Sequence, residues 1–472
     1  FHTYSAVNDD NARNGARIAF DGAPMTPIYD HAKSAVTVSL GADFLGSEPG
    51  SVFAGRRFAR VRAIASPDAA MSRLYAVESG FSVTGSMADH RLRLAPSDVE
   101  SFAKVLTIAL AERGVEALAL LAQIFSGAGQ RSDEWQHLVD AIADDLVANQ
   151  GRSAVVVGAA QPATLHALAI TINGALSNFG NTTFFGPAID PNDQACRQSV
   201  AQLVKDAPAI SSLVIIGGNP AYDAPADLKL AELLRRDGLT SVHLSTHRNE
   251  TSELCTWHAP VAHELEAWGD QQSLDGSVSV QQPLIAPLYG ARSEIEFLAT
   301  FAGEKVTSGH DIVRETHAAR LEQDTKSLLD YGVAREVLSA DSVWRGALHT
   351  GVLLNSVSSK PPVNLQSVTE VFQALAMREA GGSKPKGFQV IFEPDPALWD
   401  GTHANNLWAL EVPHPITKLV WDNAALISPA TARELGVKNG QMLRLSKGDA
   451  KVEVPVWILP GHADACASLS LG

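Results

Sequence analysis

Short apolar runs ending in glycine or acidic turns punctuate the first half of the chain, and longer amphipathic stretches separate them. Residues 35–40 (Ala-Val-Thr-Val-Ser-Leu) predict a strand that runs into the turn 41–46, and residues 73–78 predict a second. Runs of this kind read as buried parallel strands. Pro96 then leads into Ser97-Asp98-Val99-Glu100, a capping-box pattern that predicts a helix with Phe102, Val105, Leu106 and Ala109 on one face. A further helix is expected over about 132–148.

From Gly151 the pattern repeats. Residues 154–157 predict a strand, 158–161 a turn and 165–176 an Ala-rich helix. Residues 212–216 predict the next strand, followed by Gly217-Gly218-Asn219-Pro220, a helix over about 225–236, and a third strand at 240–245. Alternating strands and helices predict an α/β fold with doubly wound, mostly parallel sheets, whose ligand crevice lies beyond the carboxyl ends of the strands. Gly217 to Pro220 and the segment after Ser245 fall on that rim. Ser293-Glu294-Ile295-Glu296 is a second capping box, and residues 380–387 (Ala-Gly-Gly-Ser-Lys-Pro-Lys-Gly) have linker composition.

Beyond the linker the period changes. Residues 388–392 alternate, Ser428-Pro429 starts a short helix stopped by Gly436, Asn439-Gly440 signals a tight turn, and 442–445 and 451–459 supply strands. This predicts a small β-barrel-like domain. The expected organisation is a first, partial α/β domain at 1–150, a second doubly wound domain at 151–305, a helical connection and linker at 306–387, and the barrel-like domain at 388–472.

Composition narrows the chemistry. With 37 basic and 52 acidic side chains the net charge is −15, which repels phosphate backbones and excludes nucleic acid as an expected partner. No apolar run reaches membrane-spanning length, so any membrane association is expected through partner subunits. The chain opens at Phe1 with no charged-then-apolar leader and reads as a mature or partial chain. Cys196, Cys255 and Cys466 are too few and too far apart for a cubane iron–sulfur cluster, a disulfide framework or a Cys-rich zinc site, and are expected to be buried thiols. His258 and His263 flank Pro260, which disfavours the helical pairing of a zincin, and local polar contacts are expected instead. Trp257, Trp268, Trp408 and Trp421 are expected in half-buried core positions, with an interface as the other reading.

The most informative stretch is Glu250-Thr251-Ser252-Glu253-Leu254-Cys255-Thr256-Trp257-His258-Ala259-Pro260, continuing through Glu266-Ala267-Trp268-Gly269-Asp270 to the Gly276 turn. It resembles the pattern that closes a pterin-facing domain in the molybdenum/tungsten bis-pterin oxidoreductase superfamily. Met71-Ser72-Arg73-Leu74, Gly85-Ser86-Met87-Ala88-Asp89-His90 and Pro413-His414-Pro415-Ile416-Thr417 resemble one branch, the molybdopterin-oxidoreductase-like B subunit of alternative complex III, a quinol:cytochrome c (or high-potential acceptor) oxidoreductase. The segment 424–441 resembles the barrel domain that finishes such enzymes.

The resemblance covers the central part of such a subunit. It implies a non-catalytic scaffold with no catalytic residue, metal or cofactor of its own, and a pterin cleft kept as architecture. It further implies an iron–sulfur, ferredoxin-like region or subunit, multihaem cytochrome c and integral membrane subunits as partners, on the periplasmic face of a bacterial inner membrane. Gly217, Gly218, Asn219, His247 and Glu250 are the vestigial cleft candidates, with Arg248 and Asn249 beside them; Gly turns, basic groups and carboxylates or amides are what two dinucleotide tails would need. Two other readings stand beside this one: the central piece of an active bis-pterin oxidoreductase of the polysulfide, thiosulfate or formate type, and a nucleotide-binding module built on the Gly217 rim.

Overall fold

The computed structural model describes the chain except for residues 21, 24, 127–132, 188–195, 331–338, 357–370, 372 and 375–386. Two compact units form, one from Val7–Ala188 with Lys360–Gly472 and the other from Phe1–Ala6 with Ile189–Ser359.

The first unit opens with strands β1 (Met25–Tyr29), β2 (Val36–Leu40), β3 (Arg73–Glu78), β4 (His90–Arg93), β5 (Ser153–Val157) and β6 (Thr183–Pro187). Four of these make a wholly parallel sheet in the order β4-β3-β2-β5, and β1 pairs antiparallel with β6. Every residue of β2 and β5 is buried, as continuous apolar runs require of strands covered on both faces. One face packs Val38, Leu40, Val77 and Val155 against Phe102, Leu106, Ile142 and Leu168; the other gathers Phe44, Phe58, Leu74 and Val156. The outer edge of β5 is closed by a side chain. Asn173, on the helix Ala163–Ala175, accepts from Val155 N (3.0 Å) and donates to Val155 O (2.8 Å), mimicking the next strand.

The strand expected at 154–157, at the head of a second domain, forms as β5 and pairs with β2 in the first sheet. Local patterning identifies a buried strand and carries no information about which neighbour it joins. The helix at Pro96–Glu112 begins earlier than the capping box predicts. Pro96 occupies its first position, and Ser97 is drawn instead to Gln389, which it meets through its N–H (3.2 Å) and hydroxyl (3.0 Å). Phe102, Val105, Leu106 and Ala109 are buried, as their spacing predicts.

The second unit holds β7 (Ser212–Ile216), β8 (Thr240–Ser245) and β9 (Trp257–Pro260) in a parallel sheet of that order, and the antiparallel pair β10 (Gly269–Gln272) and β11 (Val278–Gln281). The continuous helix expected near 225–236 is broken into Pro220–Asp223, a 3₁₀ turn Ala226–Leu228 and Leu230–Leu234, because Lys229 takes a left-handed φ of 51° between the last two. The Ser293/Glu296 capping box forms, and Gly303 ends its helix in the left-handed region. Residues expected to be a separate helical connection instead complete this unit's core: Val313, Leu321, Val343 and the fully buried Trp344 pack on Val278 and Val280. Of the expected linker, all but Gly387 lies outside the described residues.

The chain then returns to the first unit with β12 (Gln389–Pro394), β13 (Ala425–Ile427), β14 (Met442–Lys447), β15 (Ala450–Ile458) and β16 (Cys466–Leu471), a mixed sheet in the order β12-β16-β13-β15-β14. Ser428 caps the helix Pro429–Leu435, Gly436 ends it at φ 67°, and Gly440 makes the turn before β14 at φ 80°. Along β12 the apolar members Phe388, Val390 and Phe392 of the alternating run are exposed. Gln389, Ile391 and Glu393 therefore take the inner positions.

Candidate functional site

The rim residues of the second unit come together as the sequence predicts, and they bind one another. Gly217 and Gly218 both sit at φ 64°, a region that favours glycine, and Gly217 N donates to Leu244 O (2.9 Å). Asn219 donates to Glu250 Oε2 (2.7 Å) and accepts from both Thr251 N (3.1 Å) and Thr251 Oγ1 (2.8 Å). The Asn219 amide holds the Glu250 carboxyl below its ordinary range. Gly218 O lies 3.2 Å from His243 Nε2, and His243 Nδ1 lies 2.8 Å from Ser252 Oγ. His247 stands apart: it is exposed, and its ring meets Thr246 at 3.0 Å.

A second constellation, in the first unit, lies where β2, β3 and β5 end, and it consists of carboxylates. Asp43 follows β2; its Oδ1 accepts from Thr84 N (2.8 Å) and its Oδ2 from Ser47 N (3.0 Å). Glu48 accepts from Ala159 N (3.2 Å), and burial pushes its carboxyl up to about 7. Glu78 ends β3 and accepts from Ser82 N (3.3 Å), Ser82 Oγ (2.5 Å) and Arg91 Nε (2.6 Å). Glu393 arrives on β12, and burial, reinforced by the nearby Glu78 and Asp43 charges, raises it to about 7 against an opposing bond from Ser468. Close backbone approach makes room for the group. A side chain at Gly85 would put its Cβ 1.8 Å from Glu78 Oε1, and one at Gly80 would lie 2.6 Å from Glu393 Oε1.

None of these four acids stands out in the sequence. The available signals were weak: an acid closing an apolar strand at Glu78, and a charged residue at an inner position of an alternating strand at Glu393. Among the described residues, no group of three or more His, Cys, Asp or Glu side chains is arranged to hold a metal ion.

The remaining candidates are dispersed. His263 caps the 3₁₀ turn Glu264–Glu266, and His258 lies 3.3 Å from Ser245 Oγ. Cys196 and Cys466 are buried and Cys255 is half-buried. Trp268 packs beside His310, but Trp257, Trp408 and Trp421 are 66%, 82% and 57% exposed, which removes these three from the core positions expected of them.

A bis-pterin cofactor would need turn N–H groups and cations for its phosphates. The residues present do not fit that demand. Around the parallel-sheet termini of the first unit, the N–H groups of Ser47, Ser82, Thr84 and Ala159 already serve carboxylates of the protein, and Arg91 is matched to Glu78. Additional phosphate charge would face Asp43, Glu48 and Glu78 at close range, where like charges destabilise one another. In the second unit the Asn219 amide is already held by Glu250 and Thr251.

No protein-family model matches the sequence, and no curated protein matches it. Among solved structures the chain is similar to acetylene hydratase from Pelobacter acetylenicus, with a TM-score of 0.61 and 13% identity over 98% of this chain and 73% of that one. At that identity the likeness is one of fold. The chain therefore has a mixed α/β fold with parallel sheets, similar to that of acetylene hydratase over almost its whole length.

Proposed function

We propose that this chain is a non-catalytic scaffold subunit of a quinol:cytochrome c (or high-potential acceptor) oxidoreductase, built on a bis-pterin oxidoreductase fold that no longer carries its cofactor. One observation supports this most directly: the chain's own carboxylates, Asp43, Glu48 and Glu78, receive turn N–H groups of the sort that a cofactor's phosphates would need. A fold outlasting its chemistry is physically ordinary, because the packing of the sheets does not depend on an occupant of the crevice. On this reading the redox groups belong to partners: iron–sulfur clusters in a ferredoxin-like region or subunit, and haem in a multihaem cytochrome c. Membrane subunits would hold the assembly at the periplasmic face, since no helix among the described residues is long and apolar enough to cross a membrane.

The test is elemental analysis for molybdenum and tungsten, with assay of released oxidised pterin, on the purified native assembly. Neither metal in stoichiometric amount and no pterin is the expected result. About one equivalent of either metal together with pterin would overturn the scaffold reading in favour of an active oxidoreductase of the polysulfide, thiosulfate or formate type.

A further inference from the structure

The helix Ser51–Arg62 is out of keeping with the charge of the chain. In a sequence of net charge −15 it carries four arginines, at 56, 57, 60 and 62, and no acid occurs from residue 51 to residue 67. Two of the arginines are used by the fold. Arg57 pairs with Asp30 (2.8 Å) and lies over the Phe53 ring at 4.5 Å, and Arg62 holds Asp89 (2.6 Å) and Ser72 O (2.6 Å). The other two are exposed, and among the described residues the side chains of Arg56 and Arg60 have neither an ion pair nor a hydrogen bond. At about 100° per residue, Val52, Phe53, Arg56, Ala59 and Arg60 share one face of the helix. Phe58, on the opposite side, is buried edge-on to Phe44.

A helix face meant only for water is built differently. Such a face sets an acid four positions before a base, whereas Arg56 and Arg60 repel each other at that spacing. Gly50 gives the helix no side-chain cap, so nothing at its start offsets the repulsion. The same face leaves Val52 87% and Phe53 46% exposed beside the two cations. This composition selects the partner. Arginine rather than lysine, next to an exposed phenylalanine, is enriched where proteins meet, and a guanidinium takes a carboxylate through two parallel N–H bonds. Anionic lipid and nucleic acid spread their phosphates over an area far wider than one helix, where the net −15 of the chain would meet its own sign. A protein can set carboxylates opposite Arg56 and Arg60 alone.

We propose that the outward face of the helix Ser51–Arg62, formed by Val52, Phe53, Arg56, Ala59 and Arg60, docks another polypeptide that presents two carboxylates beside an apolar contact. Arg56 and Arg60 each take a carboxylate and fix the register, and Val52 and Phe53 fill the apolar contact. The small Ala59 between the arginines lets the partner approach the helix closely. The inference asks only for an acidic protein face and stands whether or not the fold holds a cofactor.

The experiment uses the native assembly, purified at low ionic strength, with Arg56→Lys and Arg60→Lys in the full-length chain. A water-soluble carbodiimide then joins an amine to a carboxylate only where the two are in contact, and the joined peptides are identified by mass spectrometry. The expected product links position 56 or 60 to an Asp or Glu of a different polypeptide, and it is lost when the reaction is run at high salt. Links only to acids of this chain, or no link at all, would overturn the docking surface. Should the substituted chain fail to assemble, phenylglyoxal labelling of the wild type decides the matter. Arg56 and Arg60 are expected to react about tenfold or more slowly in the lipid-free assembly than after its partners are stripped away, equivalent to about 1.4 kcal/mol of protection. Equal rates, or slowing that appears only when phosphatidylglycerol vesicles are added, would refute the proposal.

Discussion

Single atoms set the spacing of the parallel sheet at the carboxyl ends of its strands. Gly158, just after β5, lies so close to the turn after β2 that an added Cβ would sit 2.0 Å from Gly41 O and 3.1 Å from Ala42 Cα. Both obstacles are backbone, and the buried strands that carry them cannot separate without opening the core around Leu40 and Val157. Gly158→Ala is therefore expected to destabilise the chain by about 3 kcal/mol or more, at the upper end of overpacking costs, measured as a shift in the denaturant midpoint. A midpoint within about 0.5 kcal/mol of wild type would mean that the two turns are not tightly apposed. The carboxylates beside this contact obey the same geometry. Gly46 and Gly85 exist as glycines where Asp43 and Glu78 need the space, which is why the acids reach backbone N–H groups instead of solvent.

Elements differ in how much of their stability is held in their ends. Two of the serines at helix N-caps have different surroundings. Ser428 Oγ accepts from Thr431 N (3.0 Å) and donates to Asp464 Oδ1 (2.5 Å), whereas Ser308, before the helix Gly309–Thr316, makes no capping bond with its side chain. Ser428→Ala is expected to cost about 1–2 kcal/mol and Ser308→Ala less than about 0.5 kcal/mol, read from thermal unfolding of the two variants. Equal effects would show that the cap at Ser428 contributes nothing. The Ser428 cap and the Gly436 stop could be read from the sequence, as could β3, β7 and β8, because their signals are local. What could not be read depends on distant partners. Ser97 leaves its expected capping role for Gln389, 292 positions away, β5 chooses β2 over later strands, and Glu393 acquires its chemistry only where Gly80, Glu78 and Ser468 converge. The grouping of Gly217, Gly218, Asn219 and Glu250 on one rim was legible because its residues lie just beyond two adjacent strands, β7 and β8.

At the scale of the unit formed by Val7–Ala188 and Lys360–Gly472, buried titratable groups pull stability in opposite directions. His31, stacked on Phe44 at 4.2 Å, and His166 are lowered by burial to about 4. In the unfolded chain both take up protons near 6.5, so they cost stability as pH falls from there toward 4. Burial likewise lowers His414 and His462, which add to the same trend. Glu48 and Glu393 act the other way. Raised to about 7 from the usual range near 4.5, they hold protons in the folded state that the unfolded chain has released, and stability falls as pH climbs through that interval. Between about pH 4.5 and 6.5 the two trends overlap, so the two carboxyls offset much of what the histidines would otherwise cost in acid. Each fully engaged group is worth about 1.4 kcal/mol per pH unit. The variant carrying Glu48→Gln and Glu393→Gln is therefore expected to lose stability more steeply on acidification than wild type. The extra slope should reach about 2.7 kcal/mol per pH unit within that interval, measured by urea unfolding at several pH values. Parallel slopes for the two proteins would mean that neither carboxyl is held protonated by the fold.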